Sequence, residues 1–159
     1  MMHSNPVGNV PEKLLERGLM MATAESCTGG MIAQWLTAIP GSSAWFAGSV
    51  VSYDKSWKAG ILGVPENILE QHGAVSRETV HAMLDGILKC PRTDAGVAVS
   101  GIAGPGGGTP DKPVGTVVIG AALKDGARQV DVCRFDGDRD EVRRQSATYA
   151  LQLLETLLA

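Results

Sequence analysis

Aromatic side chains and basic charge are both scarce in this chain. Only 4% of its 159 residues are aromatic, and its formal net charge is −3 at pH 7. A surface that binds single-stranded nucleic acid needs stacking rings, and one that binds a duplex carries an excess of Lys and Arg. The composition therefore argues against a nucleic acid partner, although it leaves room for a local basic pocket that binds a small phosphate.

Cysteine is also rare, and its spacing excludes common roles. The three cysteines, Cys27, Cys90 and Cys133, form no CxxC pair, which argues against a disulfide framework and a zinc site, so we expect no metal. No stretch approaches the roughly 20 apolar residues of a membrane helix. The first ten residues lack the basic start and apolar run of a signal peptide. We therefore expect no membrane partner and a cytoplasmic location.

What is present is typical of one globular domain, with 44% hydrophobic residues. Short apolar runs predict strands at 20–25, 45–53, 94–100, 116–123 and 128–135. Periodic apolar positions predict helices at 10–19, 28–38, 55–62, 65–72, 77–88 and 139–158. We expect a single-domain α/β/α layered fold with a mixed sheet of about five strands and helices packed on it. Residues 1–10 are expected to be frayed, and 11–159 to form the domain.

The first segment that carries chemistry is the point where the strand at 20–25 gives way to a helix. Ser26 and Cys27 lie there, followed by Thr28, Gly29 and Gly30, which suit a helix start. Unpaired N–H groups at such a start attract anions, and a nucleophile beside them is suited to acyl transfer. Alternation along the strand end turns Cys27 away, which favours Ser26.

A serine nucleophile needs a base, and the sequence offers lysine in preference to histidine. None of the three histidines has a motif around it, so a Ser-His-Asp triad has little support. Lys55 and Lys58 follow a strand that ends at Tyr53, and a partly desolvated ammonium can lose its proton near neutral pH. The alternative interpretation is that both are solvated helix lysines.

Two further segments could bind an anion. The glycine-dense segment 100–110 follows a buried strand, so its N–H groups could form a nest for a phosphate or an oxyanion; the alternative is a flexible surface loop. It is not a P-loop, because no Gly-Lys-Ser/Thr ends it. The last helix begins near Asp138, a good N-cap, and Arg139 and Arg143 lie one turn apart, where they could reach the same anion.

Together these segments resemble the C-terminal domain of the CinA (competence/damage-inducible) proteins and its stand-alone form. The resemblance spans residues 11–158. Its motifs are AESCTGG at 24–30, a tyrosine at 53 with a lysine at 58 and LGV at 62–64, GAVS at 73–76, SGIAGPGG at 100–107, KPVGTV at 112–117, and GDR at 137–139 with an arginine at 143. Six motifs in the family's order make the resemblance specific.

The resemblance implies hydrolysis of the carboxamide of nicotinamide mononucleotide to nicotinic acid mononucleotide and ammonia, with no metal and no cofactor. It further implies a serine/lysine mechanism with Ser26 as nucleophile, Lys58 as base and Tyr53 beside them to return a proton. The expected substrate-binding residues, which include the oxyanion donors and Arg139 or Arg143 for the phosphate, are Thr28, Gly29, Gly30, Ser100, Ala103, Gly104, Gly106, Gly107, Thr109, Arg139 and Arg143.

Three alternatives stay open at this point. Lys55 lies in a stretch, residues 54–57, that departs from the family pattern, so it is a rival base, although the spacing from Tyr53 favours Lys58. A non-catalytic nucleotide-binding or regulatory module is the rival function, but binding alone would need neither Ser26 nor Lys58. A protein-interaction domain in DNA uptake or repair has no direct support. The apolar final helix is compatible with a homo-oligomer.

Overall fold

A mixed five-stranded sheet runs through the middle of the molecule. A computed structural model of the chain describes residues 5–159. The strands are β1 (Met21–Glu25), β2 (Phe46–Val51), β3 (Ala95–Gly101), β4 (Thr116–Leu123) and β5 (Arg128–Arg134), in the order β2-β1-β3-β4-β5. Strands β1, β2 and β3 are parallel, whereas β4 and β5 are antiparallel to their neighbours. The predicted mixed sheet is confirmed.

Six α-helices of the described residues cover the two faces of this sheet. They are α1 (Val10–Arg17), α2 (Met31–Thr37), α3 (Lys55–Gly60), α4 (Glu66–His72), α5 (Arg77–Leu88) and α6 (Arg139–Leu157), with a 3₁₀ turn at Ser42–Ala44. The core on one side unites side chains of α1, α2 and α6, and the core on the other unites those of α4 and α5. This is the expected α/β/α layering.

Side chains alternate between the two cores along the buried strands. On β3, Val97 and Val99 pack into the α1/α2/α6 core, whereas Ala98 packs against α4 and α5. On β1, Met21 belongs to the first core and Ala24 to the second. Because side-chain direction has a period of two, each residue at a strand's end is committed to one layer.

The starts of α5 and α6 agree with the local sequence signals. Ser76 caps α5, since its Oγ accepts the N–H of Thr79 at 3.1 Å. Asp138 caps α6 in a capping box with Glu141. No helix of residues 5–159 is long and apolar enough to cross a membrane.

The segment before α1 is packed. Val7 is buried in the core, and the N–H of Asn9 donates to Glu155 of α6 at 2.6 Å. The structure therefore differs from the expected frayed segment over residues 5–10, because these contacts hold it against the last helix. Residues 1–4 of that segment lie outside the described residues.

The topology brings three strand ends together. The parallel strands β1, β2 and β3 all end at the same edge of the sheet. From β1 the chain continues to β2 on one side, whereas from β3 it continues to β4 on the opposite side. Clefts in α/β sheets form where the chain departs in opposite directions from neighbouring strands. The residues that follow these strands lie at this edge.

Candidate active site

Ser26 directly follows β1 and is held by its own backbone. Its N–H donates to the carbonyl of Val99 on β3 at 3.1 Å, and its carbonyl accepts the N–H of Gly29 at 3.0 Å. Its side chain is 7% exposed. The alternation along β1 directs Glu25 towards α2 and Ser26 towards α3.

Lys58 is the side chain that meets Ser26. Helix α3 begins at Lys55, after the N-cap Asp54, whose carboxylate accepts the N–H of Ser56, and the fourth residue of the helix is Lys58. The Lys58 Nζ lies 2.9 Å from the Ser26 Oγ, 2.6 Å from the Ser52 carbonyl oxygen and 3.4 Å from that of Tyr53. The whole lysine is only 1% exposed.

Burial is the main cause that lowers the pKa of Lys58 below its ordinary value. The positive charge of Lys55 adds to the decrease, whereas Cys27 and Asp54 oppose it. Among the described residues, no carboxylate accepts a hydrogen bond from this amine. Burial without such a partner destabilises the charged ammonium and so favours the uncharged amine.

Lys55, the rival base, is the exposed first residue of the same helix. It lines the cleft in which Ser26 and Lys58 lie, but its side chain is exposed, and no hydrogen bond joins it to Ser26. The first residue of α3 points towards solvent and the fourth points inward. The contact with the serine is thus made by Lys58.

In the turn between β1 and α2, the N–H groups of the two glycines are used within the protein and are not free to bind an anion. The N–H of Gly29 donates to Ser26, and the N–H of Gly30 donates to the Glu25 carboxylate at 3.1 Å. Both glycines have positive φ, 60° and 99°, which helical residues cannot adopt, so α2 begins at Met31 and not at Thr28. The predicted donors at Gly29 and Gly30 are already paired.

Glu25 is the residue of this region that sequence reasoning missed. Its carboxylate is fully buried and accepts hydrogen bonds from the start of α2. The sequence does contain a signal for this buried carboxylate, because Glu25 is an ionisable residue at the end of an otherwise uncharged strand, MATAE, five residues before the N-cap of α2. A buried carboxylate requires several donors.

Tyr53 and Arg139 meet at the mouth of the cleft. The Arg139 Nη2 donates to the Tyr53 hydroxyl at 3.1 Å, and its Nη1 donates to the Gly104 carbonyl at 2.6 Å. Tyr53 is 63% exposed. Its hydroxyl contacts the arginine, and among the described residues no hydrogen bond joins this hydroxyl to Ser26 or Lys58.

A cleft of about 370 Å³ opens at this edge of the sheet. Six of the predicted site residues line it: Ser26, Tyr53, Lys58, Ser100, Ala103 and Arg139. Cys27, Asp54, Lys55, Ala74, Val75 and Gly101 complete the wall. Ser100 is buried and donates to the Ala74 carbonyl at 2.8 Å, which joins the 73–76 segment to β3.

Arg143 contacts the turn that carries Ser26 and is not among the residues that line the cleft. Its Nε donates to the Cys27 carbonyl at 2.9 Å and its Nη2 to the Thr28 carbonyl at 3.0 Å. Although Arg139 and Arg143 are one helical turn apart, they do not meet at one anion position, because one faces the mouth and the other the turn. Thr28 is buried beneath this contact.

Most of the glycine loop also turns away from the cleft. Thr109 pairs with Lys112, its N–H donating to the Lys112 carbonyl at 2.9 Å and its Oγ1 accepting the Lys112 N–H at 3.0 Å. Gly106 and Gly107 are exposed, and Gly104 reaches the site only through its carbonyl on Arg139. At the two ends of the loop, the N–H of Ile102 donates to the Thr116 carbonyl at 2.9 Å, and the N–H of Gly115 donates to the Ile102 carbonyl at 2.8 Å.

Cys27, the residue after Ser26, packs in the core. It is 5% exposed, and burial raises the pKa of its thiol to about 11, although Arg143 and Lys58 partly oppose the increase. A thiol with so high a pKa stays protonated at neutral pH and is a poor nucleophile. Ser26 is thus the better placed of the two adjacent residues.

The comparison with known sequences decides the family. The family model of the CinA C-terminal domain matches residues 4–158. This chain belongs to the CinA C-terminal domain family. Among curated relatives, a CinA-like protein of Syntrophotalea carbinolica is 50% identical over 151 residues, and the nicotinamide-nucleotide amidohydrolase PncC of Escherichia coli K12 is 51% identical over 148.

This chain matches a different share of the length of the two kinds of relative. The match covers 95% of this chain but only 36% of the CinA-like protein, so the chain spans about a third of such relatives. For the E. coli amidohydrolase, the match covers 91% of this chain and 88% of the relative.

Solved CinA structures have the same fold. The competence/damage-inducible protein CihA of Agrobacterium tumefaciens superposes with a TM-score of 0.94 at 39% identity, over 99% of this chain and 98% of that one. The competence damage-inducible protein A of Klebsiella pneumoniae gives 0.90 at 36% identity, over 95% and 93%.

Proposed function

We propose that this chain hydrolyses the carboxamide of nicotinamide mononucleotide, with Ser26 as nucleophile and Lys58 as its base. The observation that carries the proposal is the 2.9 Å contact between the Ser26 Oγ and the Lys58 Nζ inside a cleft. The reaction comes from the names of relatives about 50% identical, the nicotinamide-nucleotide amidohydrolases of Escherichia coli and Enterobacter agglomerans.

The three neighbours of the Lys58 amine suit its role as a base. An uncharged amine has two N–H donors and one lone pair. The Ser52 and Tyr53 carbonyls lie at 2.6 and 3.4 Å and accept the two hydrogens, which leaves the lone pair for the Ser26 hydroxyl. The amine takes the hydroxyl proton as the Ser26 Oγ attacks the carboxamide carbon.

The attack places a negative charge on the carboxamide oxygen, which needs donors. Because Gly29 and Gly30 are paired and Thr28 is fully buried, we assign this role to the backbone N–H of Cys27, which follows the nucleophile, lines the cleft and reaches no acceptor among residues 5–159. Ala103 lies on the wall of the same cleft and could add a second N–H. One such donor typically contributes about 3 kcal/mol of transition-state stabilisation.

The protonated Lys58 amine then returns its proton to the carboxamide nitrogen. The C–N bond breaks, ammonia leaves, and the nicotinoyl group stays on Ser26 as an ester. Water attacks this ester while Lys58 takes one of its protons. The ester bond breaks, the serine recovers its hydrogen from Lys58, and nicotinic acid mononucleotide is released.

Arg139 is the residue we assign to the phosphate of the substrate. Its guanidinium is exposed at the mouth of the cleft, whereas that of Arg143 is bound to the turn. Tyr53 contacts Arg139 and therefore belongs to the same wall. A planar guanidinium binds phosphate oxygens in a two-pronged contact.

An ammonia-release assay with nicotinamide mononucleotide tests the proposal. We expect Ser26→Ala and Lys58→Met to lower kcat by about a thousandfold or more, because each removes a group that acts in both half-reactions. Lys55→Ala is the matched control, a lysine of the same helix and cleft, and should retain kcat within about threefold.

Two results would contradict the proposal in different ways. An inactive Lys55→Ala with an active Lys58→Met would mean that the base is assigned to the wrong lysine. A wild-type protein that binds the nucleotide and releases no ammonia would be the non-catalytic binding module.

A further inference from the structure

Glu25 carries a buried carboxylate that the reaction does not use. The residue is 0% exposed. Four donors face its two oxygens: the N–H groups of Gly30 at 3.1 Å, Ile32 at 3.0 Å and Ala33 at 3.0 Å, and the hydroxyl of Ser49 at 3.3 Å, which in turn accepts the Thr23 hydroxyl at 2.6 Å. No ion pair of the described residues includes this carboxylate. Among the described residues, the polar contacts of this carboxylate are therefore all hydrogen bonds.

These contacts make Glu25 the cap of α2 from a distance. The N-cap position of that helix is Gly30, which has no side chain to accept the first N–H groups. The Glu25 side chain, at the end of the preceding strand, accepts three of them. One side chain therefore fixes the end of β1 to the start of α2, and the turn that carries Ser26 lies between these two fixed points.

The backbone of Glu25 reaches the other member of the pair. Its carbonyl accepts the N–H of Ser52 at 2.8 Å, and the Ser52 carbonyl accepts the Lys58 amine at 2.6 Å. In addition, Ser49 on β2 donates to the carboxylate. Glu25 is thus connected to Ser26 through the turn and to Lys58 through Ser52, the residue after β2.

We infer that Glu25 is a positioning residue for Ser26 and Lys58, an inference that rests on the proposed function. Its side chain lies in the α2 layer, on the other side of β1 from the cleft, so it does not touch the substrate. It acts by holding the turn so that the Ser26 Oγ stays within reach of the lysine lone pair. A displacement of about 1 Å in such a pair can cost roughly a hundredfold in rate.

The test compares Glu25→Gln with wild type in two independent measurements. The first is steady-state hydrolysis of nicotinamide mononucleotide; the second is the rate at which a fluorophosphonate probe labels Ser26. Glutamine keeps the shape but replaces one acceptor oxygen by an NH₂ group that faces N–H donors. We expect kcat and the labelling rate to fall by about tenfold or more, with KM within about threefold.

Ile87→Val is the control for a merely structural effect. Ile87 is buried on α5, in the opposite core from α2, so this variant loosens the fold without touching the turn. Its thermal midpoint should fall, while kcat and the labelling rate per folded molecule stay near wild type. Ser49→Ala is the second variant, because Ser49 is exposed and its loss removes a single bond to the carboxylate; we expect a two- to fivefold slower labelling.

The outcomes separate this inference from the function on which it rests. A wild-type protein that is neither labelled at Ser26 nor active would defeat the proposed function. A labelled and active wild type, with Glu25→Gln labelled at the same rate, would overturn the positioning role. If Glu25→Gln does not fold, unchanged labelling of Ser49→Ala would overturn that role in its place.

Discussion

Lys58 is a buried amine with no acidic partner among the described residues, and this has a consequence for stability. Burial lowers the pKa of Lys58 in the folded chain. Between that lowered pKa and the ordinary value of about 10.4, the unfolded chain binds more protons than the folded one. The free energy of unfolding therefore rises with pH in this window.

We expect this pH dependence to be weaker in Lys58→Met, which has no proton to bind. Urea unfolding at about pH 7.5 and pH 9.5 measures it, because every other titrating group is common to both proteins. The wild type should gain more stability than the variant between the two pH values. An equal gain in both proteins would mean that Lys58 titrates as an ordinary lysine.

Arg139 and Arg143 lie one turn apart on α6, but we expect loss of Arg139 to change substrate affinity and loss of Arg143 to change stability. Arg139→Ala should raise KM for nicotinamide mononucleotide by about tenfold, as expected for a lost charged contact with the phosphate. The change should be small for nicotinamide riboside, which has no phosphate. A similar rise in KM for both substrates would exclude phosphate binding by Arg139.

Arg143→Ala should act on stability first. Its removal leaves the Cys27 and Thr28 carbonyls without their donor, at a cost of about 1–3 kcal/mol. Thermal unfolding measures the loss, and the KM ratio of the two substrates should stay at its wild-type value. A selective loss of nucleotide affinity would instead indicate a phosphate ligand.

At the scale of the elements, α5 is held close to the chain that leaves α3. Gly86 lies inside α5, where a Cβ would lie 2.0 Å from the carbonyl oxygen of Leu62. Alanine favours a helix over glycine by about 1 kcal/mol, but here the backbone of Leu62 would have to move. We expect Gly86→Ala to destabilise the protein by about 2 kcal/mol or more.

Gly60 is the matched control for this prediction. It ends α3, and nothing lies within 4 Å of the Cβ that an alanine would add. Gly60→Ala should be neutral or stabilising by up to about 1 kcal/mol. Chemical denaturation of both variants measures the difference, and a stabilising Gly86→Ala would contradict the close approach of α5 to Leu62.

At the scale of the whole molecule, the sequence predicted what depends on local pattern. Apolar runs and periodicity, with glycine and proline at the boundaries, indicated every strand and α-helix of the described residues, because burial on one face leaves a repeat that neighbouring residues share. Strand β4 has the predicted bounds, and Ser76 and Asp138 cap their helices as expected. The Ser26–Lys58 pair followed from the family resemblance and not from spacing alone.

What the sequence did not predict depends on contacts between distant segments. The donors of Glu25 come from β2 and α2, and the bond of Arg143 to Cys27 spans 116 residues. The glycine loop is joined at its ends by the backbone hydrogen bonds of Ile102 with Thr116 and Gly115. Composition and local pattern contain no information on such pairings. Self-association and location in the cell stay predictions.

The most direct test is the titration of Lys58 itself. Nuclear magnetic resonance of protein carrying ¹³Cε-labelled lysine, assigned with Lys58→Met, follows this one amine as the pH changes. We expect its midpoint below the ordinary lysine value of about 10.4, and we expect Ser26→Ala to shift it. A Lys58 amine that stays charged up to the ordinary value would contradict its role as the base for Ser26.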